Sequence, residues 1–166
     1  MSRNNARRDS RRRADKDLAR GVALDVLGEH GIERAPVDPV AIAESVGIVV
    51  QASDDLEGSF SGCLLQAGDS FGILYSTSIR NKGYQRFTVA HELGHYSLKD
   101  HRQIIFEKGA LHRSESGFTS SVWYEREADL FGVELLIPEF LFHKHRREFP
   151  TGLDGVKALP GSSGRR

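Results

Sequence analysis

The chain has 166 residues, with 23 Lys+Arg against 23 Asp+Glu, seven His and a single Cys. That length allows one domain with tails, one cysteine excludes an intramolecular disulfide framework, and no apolar run reaches the roughly 18 residues of a membrane span. The net charge of zero conceals +5 over residues 1–20, −9 over 21–142 and +4 over 143–166, an acidic body between basic ends.

Residues 1–13 are Arg/Ser/Asn-rich with almost no apolar content and read as a disordered basic arm. Helical periodicity begins near Ala14, with Leu18, Val22, Ala23, Val26 and Leu27 on one face and Gly31 as the stop. Asp38-Pro39 is an N-cap and first-turn pair; it opens a short helix through Ile42 and Val46 that Gly47 ends. Ile48-Val49-Val50 reads as a strand. Residues 60–66 and 71–75 read as a hairpin around Ala67-Gly68-Asp69-Ser70. Helix resumes over 84–98 and again over 122–136, with a polar connection between them, and Pro138 starts a further short helix over 139–147. Residues 149–166 form a Pro/Gly/Ser-rich tail. Helices, a small sheet, then helices imply an α+β fold: one domain over 14–148, an antiparallel-containing sheet packed against helices.

The chemistry centres on His91-Glu92-Leu93-Gly94-His95. Two His at i and i+4 share a helix face, so both imidazoles can reach one metal ion, while Glu92 flanks it about 100° around the helix. A carboxylate there can take a proton from a water that the metal activates. An open tetrahedral site wants a third protein ligand. His101 has metzincin spacing, but Leu98 stands where that pattern needs Gly, and the only Met is Met1. Cys63 reads better as a small hydrophobe in a strand. Glu125 and Asp129 share a helix face at i, i+4, continued by Val122, Gly132, Val133 and Leu136, whereas Glu127 points to the side of Arg126 and Glu134. That selects Glu125 as third ligand, with Asp129 holding the far nitrogen of a ligating His. Gly94, costly inside a helix, implies close approach of a neighbouring element.

Residues 86–95, RFTVAHELGH, followed by residues 125–138, EREADLFGVELLIP, resemble the ImmA/IrrE family of metallopeptidases. The resemblance spans about residues 15–148 and implies a zincin-like domain with the HELGH helix at its centre. It implies one zinc per chain on His91, His95 and Glu125, Glu92 as catalytic carboxylate, and a cytoplasmic bacterial or phage protein. The implied substrate is a helix-turn-helix repressor, whose cleavage switches on mobile-element or stress-response genes. Direct nucleic-acid binding and membrane contact are not expected. A different class of function uses the same residues: a zinc-stabilised module that binds a repressor without cutting it. An oxyanion would need a further donor, for which Tyr75, His112 and Arg113 are the candidates, and an extended substrate could pair with an edge of the 60–75 hairpin sheet.

Overall fold

The computed structural model describes residues 12–56, 60–107, 109–115 and 120–148, so most of the basic arm and the 149–166 tail lie outside the described residues. Helix α1, Lys16–Glu29, starts at Asp15, whose carboxylate accepts the Leu18 N–H at 3.0 Å. Its buried stripe is Ala19, Ala23 and Leu27, and Leu18 is exposed. The expected face is therefore rotated, because the small alanines, not the bulkier Leu18, face the neighbouring helix. Helix α2, Pro39–Ser45, is capped by Asp38, which accepts N–H bonds from Val40 and Ala41 at 3.0 and 3.4 Å. Gly47, at φ 83°, then takes the left-handed turn that a side chain would resist.

Four strands follow among the described residues: β1 Val49–Ser53, β2 Phe60–Ala67, β3 Ser70–Ser76 and β4 Leu111–Glu115. The β2–β3 hairpin closes through Gly68-Asp69, with Gly68 at φ 61°. The strand order is β1-β3-β2-β4, with β1 parallel to β3 and the other pairs antiparallel. Both hairpin strands are thus interior, so among the described residues the sheet edges open to an extended substrate are β1 and β4.

The remaining helices are α3 Lys82–Ser97, α4 Lys99–Phe106, α5 Trp123–Leu136 and α6 Glu139–Glu148. The connection expected to be merely polar contains α4 and β4. Leu98, with extended φ −76° and ψ 107°, ends α3 and starts α4, so the chain changes direction there without a glycine. Helix α3 is the hub: it packs on α5, α2 and the sheet, while α5 also packs on α1. The core joins Leu64 and Ile73 of the sheet, Val89, Ala90 and Leu93 of α3, Phe131 and Leu135 of α5, and Ala23 and Leu27 of α1. This is an α+β domain with a mixed sheet, and none of its described helices is long and apolar enough to cross a membrane. Arg12, assigned by sequence to the arm, packs against the domain, its guanidinium 3.6 Å over the Trp123 ring and 3.2 Å from Asp100.

Candidate metal centre

Asn81 opens α3 by accepting the Tyr84 N–H at 3.1 Å. Two glycines then let α3 and α5 approach. A Cβ on Gly94 would stand 2.9 Å from the Phe131 ring and 3.3 Å from Ala128 Cα; one on Gly132 would stand 3.4 Å from the His91 backbone nitrogen. The close crossing brings the third and fourth turns of α3 against the first turn of α5. There His91 Nε2 lies 3.3 Å and His95 Nε2 3.6 Å from the Glu125 carboxylate, and the two Nε2 atoms are 3.0 Å apart.

Behind the cluster each imidazole has a support. His91 Nδ1 meets Asp129 Oδ1 at 2.9 Å. His95 Nδ1 meets His101 Nδ1 at 3.1 Å, and His101 Nε2 meets Glu127 Oε2 at 3.0 Å. Sequence reasoning set both His101 and Glu127 aside. His101 is fully buried behind His95, and Glu127, assigned to the polar side of its helix, is equally buried. The inner face of α5 is Trp123, Glu127, Ala128, Phe131, Gly132 and Leu135, whereas Val122 and Val133 are exposed. The apolar face was misassigned because a buried carboxylate with a buried imidazole partner looks, in sequence, like a solvated one.

Glu92 projects toward the sheet under Gly62, where an added Cβ would overlap Thr88 and stand 2.9 Å from the Leu74 carbonyl oxygen and 3.6 Å from Glu92 Oε1. The Glu92 side chain is fully buried, and neither oxygen has a hydrogen-bond partner among the described residues. Burial pushes its pKa up, against the nearby imidazoles of His91 and His112 and the Ser114 hydroxyl. Glu125 behaves oppositely. Burial opposes its charge, but His112, His91 and His95 together hold it well below the usual carboxylate range. Burial likewise disfavours a charged His91, yet Asp129 and Glu125 outweigh it and push its pKa up to about 10. His95 is driven well below its ordinary value by burial, and burial also lowers His101 against the pull of Glu127.

These residues fit a metal ion. With Asp129 and His101 accepting from the Nδ1–H groups, both Nε2 atoms present lone pairs to each other at 3.0 Å, beside a carboxylate. Either a proton on His91, which its raised pKa favours, or a metal ion in that proton's place must lie among these acceptors, and two imidazoles with one carboxylate suit zinc. A second grouping, Glu92, His95 and His112, overlaps the first. His112, on β4, stands 3.0 Å from Glu125 Oε1, its ring 4.5 Å from that of His95. Of the other candidate donors, Tyr75 packs against the core, and Arg113 is exposed with its guanidinium 5.2 Å over Phe60. Cys63 is buried in β2, as a strand hydrophobe would be.

The Peptidase_M78 model, described as the IrrE N-terminal-like domain, matches residues 43–158. The chain belongs to this peptidase family. The resemblance read from the two helix motifs therefore holds, and the family points to metal use. No curated protein matches the chain. The family segment begins in α2 and takes in the sheet and α3 to α6; α1 and the residues before it precede the match.

Proposed function

We propose that this member of the IrrE N-terminal-like family is a zinc-dependent endopeptidase acting on a protein substrate. His91, His95 and Glu125 would hold the metal. Zinc held there would polarise the scissile carbonyl and lower the pKa of water from 15.7 toward roughly 7. Glu92 accepts a proton from the attacking water and returns it to the departing amine; its burial-raised pKa makes it a better base than an exposed carboxylate. His112, 3.0 Å from Glu125 Oε1 and ring to ring with His95, stands at the cluster and would turn its N–H from Glu125 to the developing oxyanion. Strand β4 pairs with β2 along one side and with no other strand among the described residues, so its free edge beside the centre suits an extended peptide.

The observation that carries this reading is the Glu92 carboxylate, wholly buried next to the imidazoles, with the Ser114 hydroxyl nearby but no hydrogen bond of normal geometry among the described residues. An unpartnered buried carboxylate is costly, and a structural role leaves that cost without return. This favours hydrolysis over a zinc-stabilised module that only binds its partner. A helix-turn-helix repressor is the proposed substrate, in keeping with the family resemblance, and derepression of mobile-element or stress-response genes the proposed outcome. The −9 charge of residues 21–142 supports a basic partner through long-range attraction that salt would weaken. The test is to incubate the chain with the helix-turn-helix protein of an adjacent reading frame. Fragments are expected with zinc and none with chelator; an intact partner under both conditions would leave only the binding role.

A further inference from the structure

The two imidazoles at the centre are supported differently. His91 leans directly on Asp129, whose side chain is 19% exposed. Behind His95 stands a longer chain of bonds. His95 Nδ1 lies 3.1 Å from His101 Nδ1, His101 Nε2 lies 3.0 Å from Glu127 Oε2, and Glu127 Oε1 accepts the Asp15 backbone N–H at 2.8 Å. Neither His101 nor Glu127 is more than 1% exposed.

The bonds can be satisfied in one consistent direction. For His95 to offer a lone pair at Nε2, its ring proton must sit on Nδ1 and point at His101 Nδ1, which must then be bare. That places the His101 proton on Nε2, where the Glu127 carboxylate accepts it. The second carboxylate oxygen is taken by Asp15, the N-cap of α1, whose own N–H lies outside the helical hydrogen-bond ladder. Each donor meets one acceptor. Arg12 stacks 3.6 Å over Trp123, and the Trp123 ring packs edge-on against His101 at 5.6 Å. The segment Arg12–Asp15 therefore closes over the outer end of the chain, although it precedes the family-matched residues 43–158.

We infer that His101 and Glu127, anchored by the Asp15 N–H, are positioning residues that set the tautomer and orientation of His95, so that the start of α1 takes part in building the metal centre. The inference rests on His91, His95 and Glu125 being metal ligands. A carboxylate placed one imidazole further back fixes the ligand without adding charge beside it, since the neutral His101 ring separates the two.

The full chain tests this with His101→Leu, His101→Asn and Glu127→Gln, measuring zinc affinity by chelator competition, the visible spectrum of the cobalt-substituted protein, and thermal stability. His101→Leu removes both bonds and should weaken zinc binding by roughly ten- to a hundredfold and shift the cobalt bands. His101→Asn can present its carbonyl oxygen where Nδ1 stood and should recover most of that affinity. Glu127→Gln forces a conflict. Either its amide N–H₂ faces the Asp15 N–H, or it donates to His101 and reverses the tautomers; zinc affinity should fall while the variant remains folded. Wild-type affinity and an unchanged cobalt spectrum in folded His101→Leu or Glu127→Gln would overturn the positioning role and leave the metal reading intact. Equal losses in the Asn and Leu variants, following a shared fall in stability, would also overturn it. A wild-type chain that binds no zinc would overturn the metal reading, and the relay with it.

Discussion

Glu92 and Glu125 approach the same pair of imidazoles from different walls and live in different media. Glu92, on α3 beneath the sheet, is enclosed by Gly62, Thr88 and the hairpin; it has no hydrogen bond of normal geometry among the described residues, and burial raises its proton affinity. Glu125, in the first turn of α5, lies among His91, His95 and His112, which hold it ionised far below the usual range. One carboxylate is thus made basic by dryness and the other made a permanent anion by its neighbours. Two identical groups acquire two tasks from environment alone, the first suited to carrying a proton and the second to holding a cation.

Exchanging each carboxylate for its amide probes this contrast most strongly. Glu125→Gln should lower zinc affinity by more than roughly a hundredfold, beyond the usual cost of losing a supporting residue. Its peptidase activity should vanish with the metal and match that of chelator-treated wild type; a variant retaining one zinc per chain would remove Glu125 from the ligand set. Glu92→Gln should leave the metal in place and reduce cleavage by about 10²–10⁴-fold, the range for loss of a general base. Metal analysis beside a cleavage assay separates the two variants, and full activity in Glu92→Gln would take the proton-carrying role away from it.

The same contrast shows what could be read from sequence. The convergence of His91 and His95 with Glu125 and Asp129 was legible because helical spacing puts each pair on one face, and the Asp38-Pro39 and Gly68-Asp69 signals were legible because capping and turn chemistry are local. Helix α4 and strand β4 were not. Residues 99–106 alternate charge with only Ile104, Ile105 and Phe106 apolar, and β4 is Leu-His-Arg-Ser-Glu, an edge strand whose pattern is set by the strand it meets. His112 went unselected as a result. Glu127 and His101 were missed for a different reason: a buried polar pair satisfies itself across 26 residues, and no periodicity encodes that. The signal available was their coexistence with the HELGH helix, which calls for a support behind each ligand.

The dryness on the Glu92 side can be measured at Cys63, which is 2% exposed in β2. Burial, with the charge of Glu92 adding to it, pushes its thiol from 9.0 up to about 11. At pH 8 the native thiolate fraction should be about a hundredfold below that of the unfolded chain, from those two values. A disulfide reagent should therefore label the native chain far more slowly than the denatured one. The folded thiol keeps its proton where the unfolded thiol loses it, so its contribution to stability is complete below about pH 9 and is lost as pH rises toward 11. Equal labelling rates in the native and denatured chain would mean that the sheet wall admits water, and the case for a dry Glu92 would fail with it.

Gly62, against the Glu92 wall, and Gly94, at the crossing of α3 and α5, should differ in a smaller and more diagnostic way. Alanine at Gly62 drives a methyl group into Thr88 and toward the Leu74 carbonyl oxygen, 2.9 Å away on the paired strand, where the ladder cannot yield. Overpacking of this kind costs about 1–3 kcal/mol, and the methyl group also presses toward Glu92 Oε1 at 3.6 Å. Alanine at Gly94 meets the Phe131 ring at 2.9 Å, a comparable clash, but Gly94 lies inside α3, where replacing Gly by Ala returns about 1 kcal/mol of helix propensity. Denaturant unfolding should therefore show Gly62→Ala as the more destabilised variant by roughly that amount. Activity should separate them further, since the Gly62 change displaces the carboxylate proposed to carry the proton and the Gly94 change moves the helix that carries Glu125. Gly62→Ala should keep its zinc and lose turnover, and Gly94→Ala should lose zinc affinity first. The reverse pattern would mean that the sheet, not the crossing of α3 and α5, sets the distance between the two imidazoles and their carboxylate.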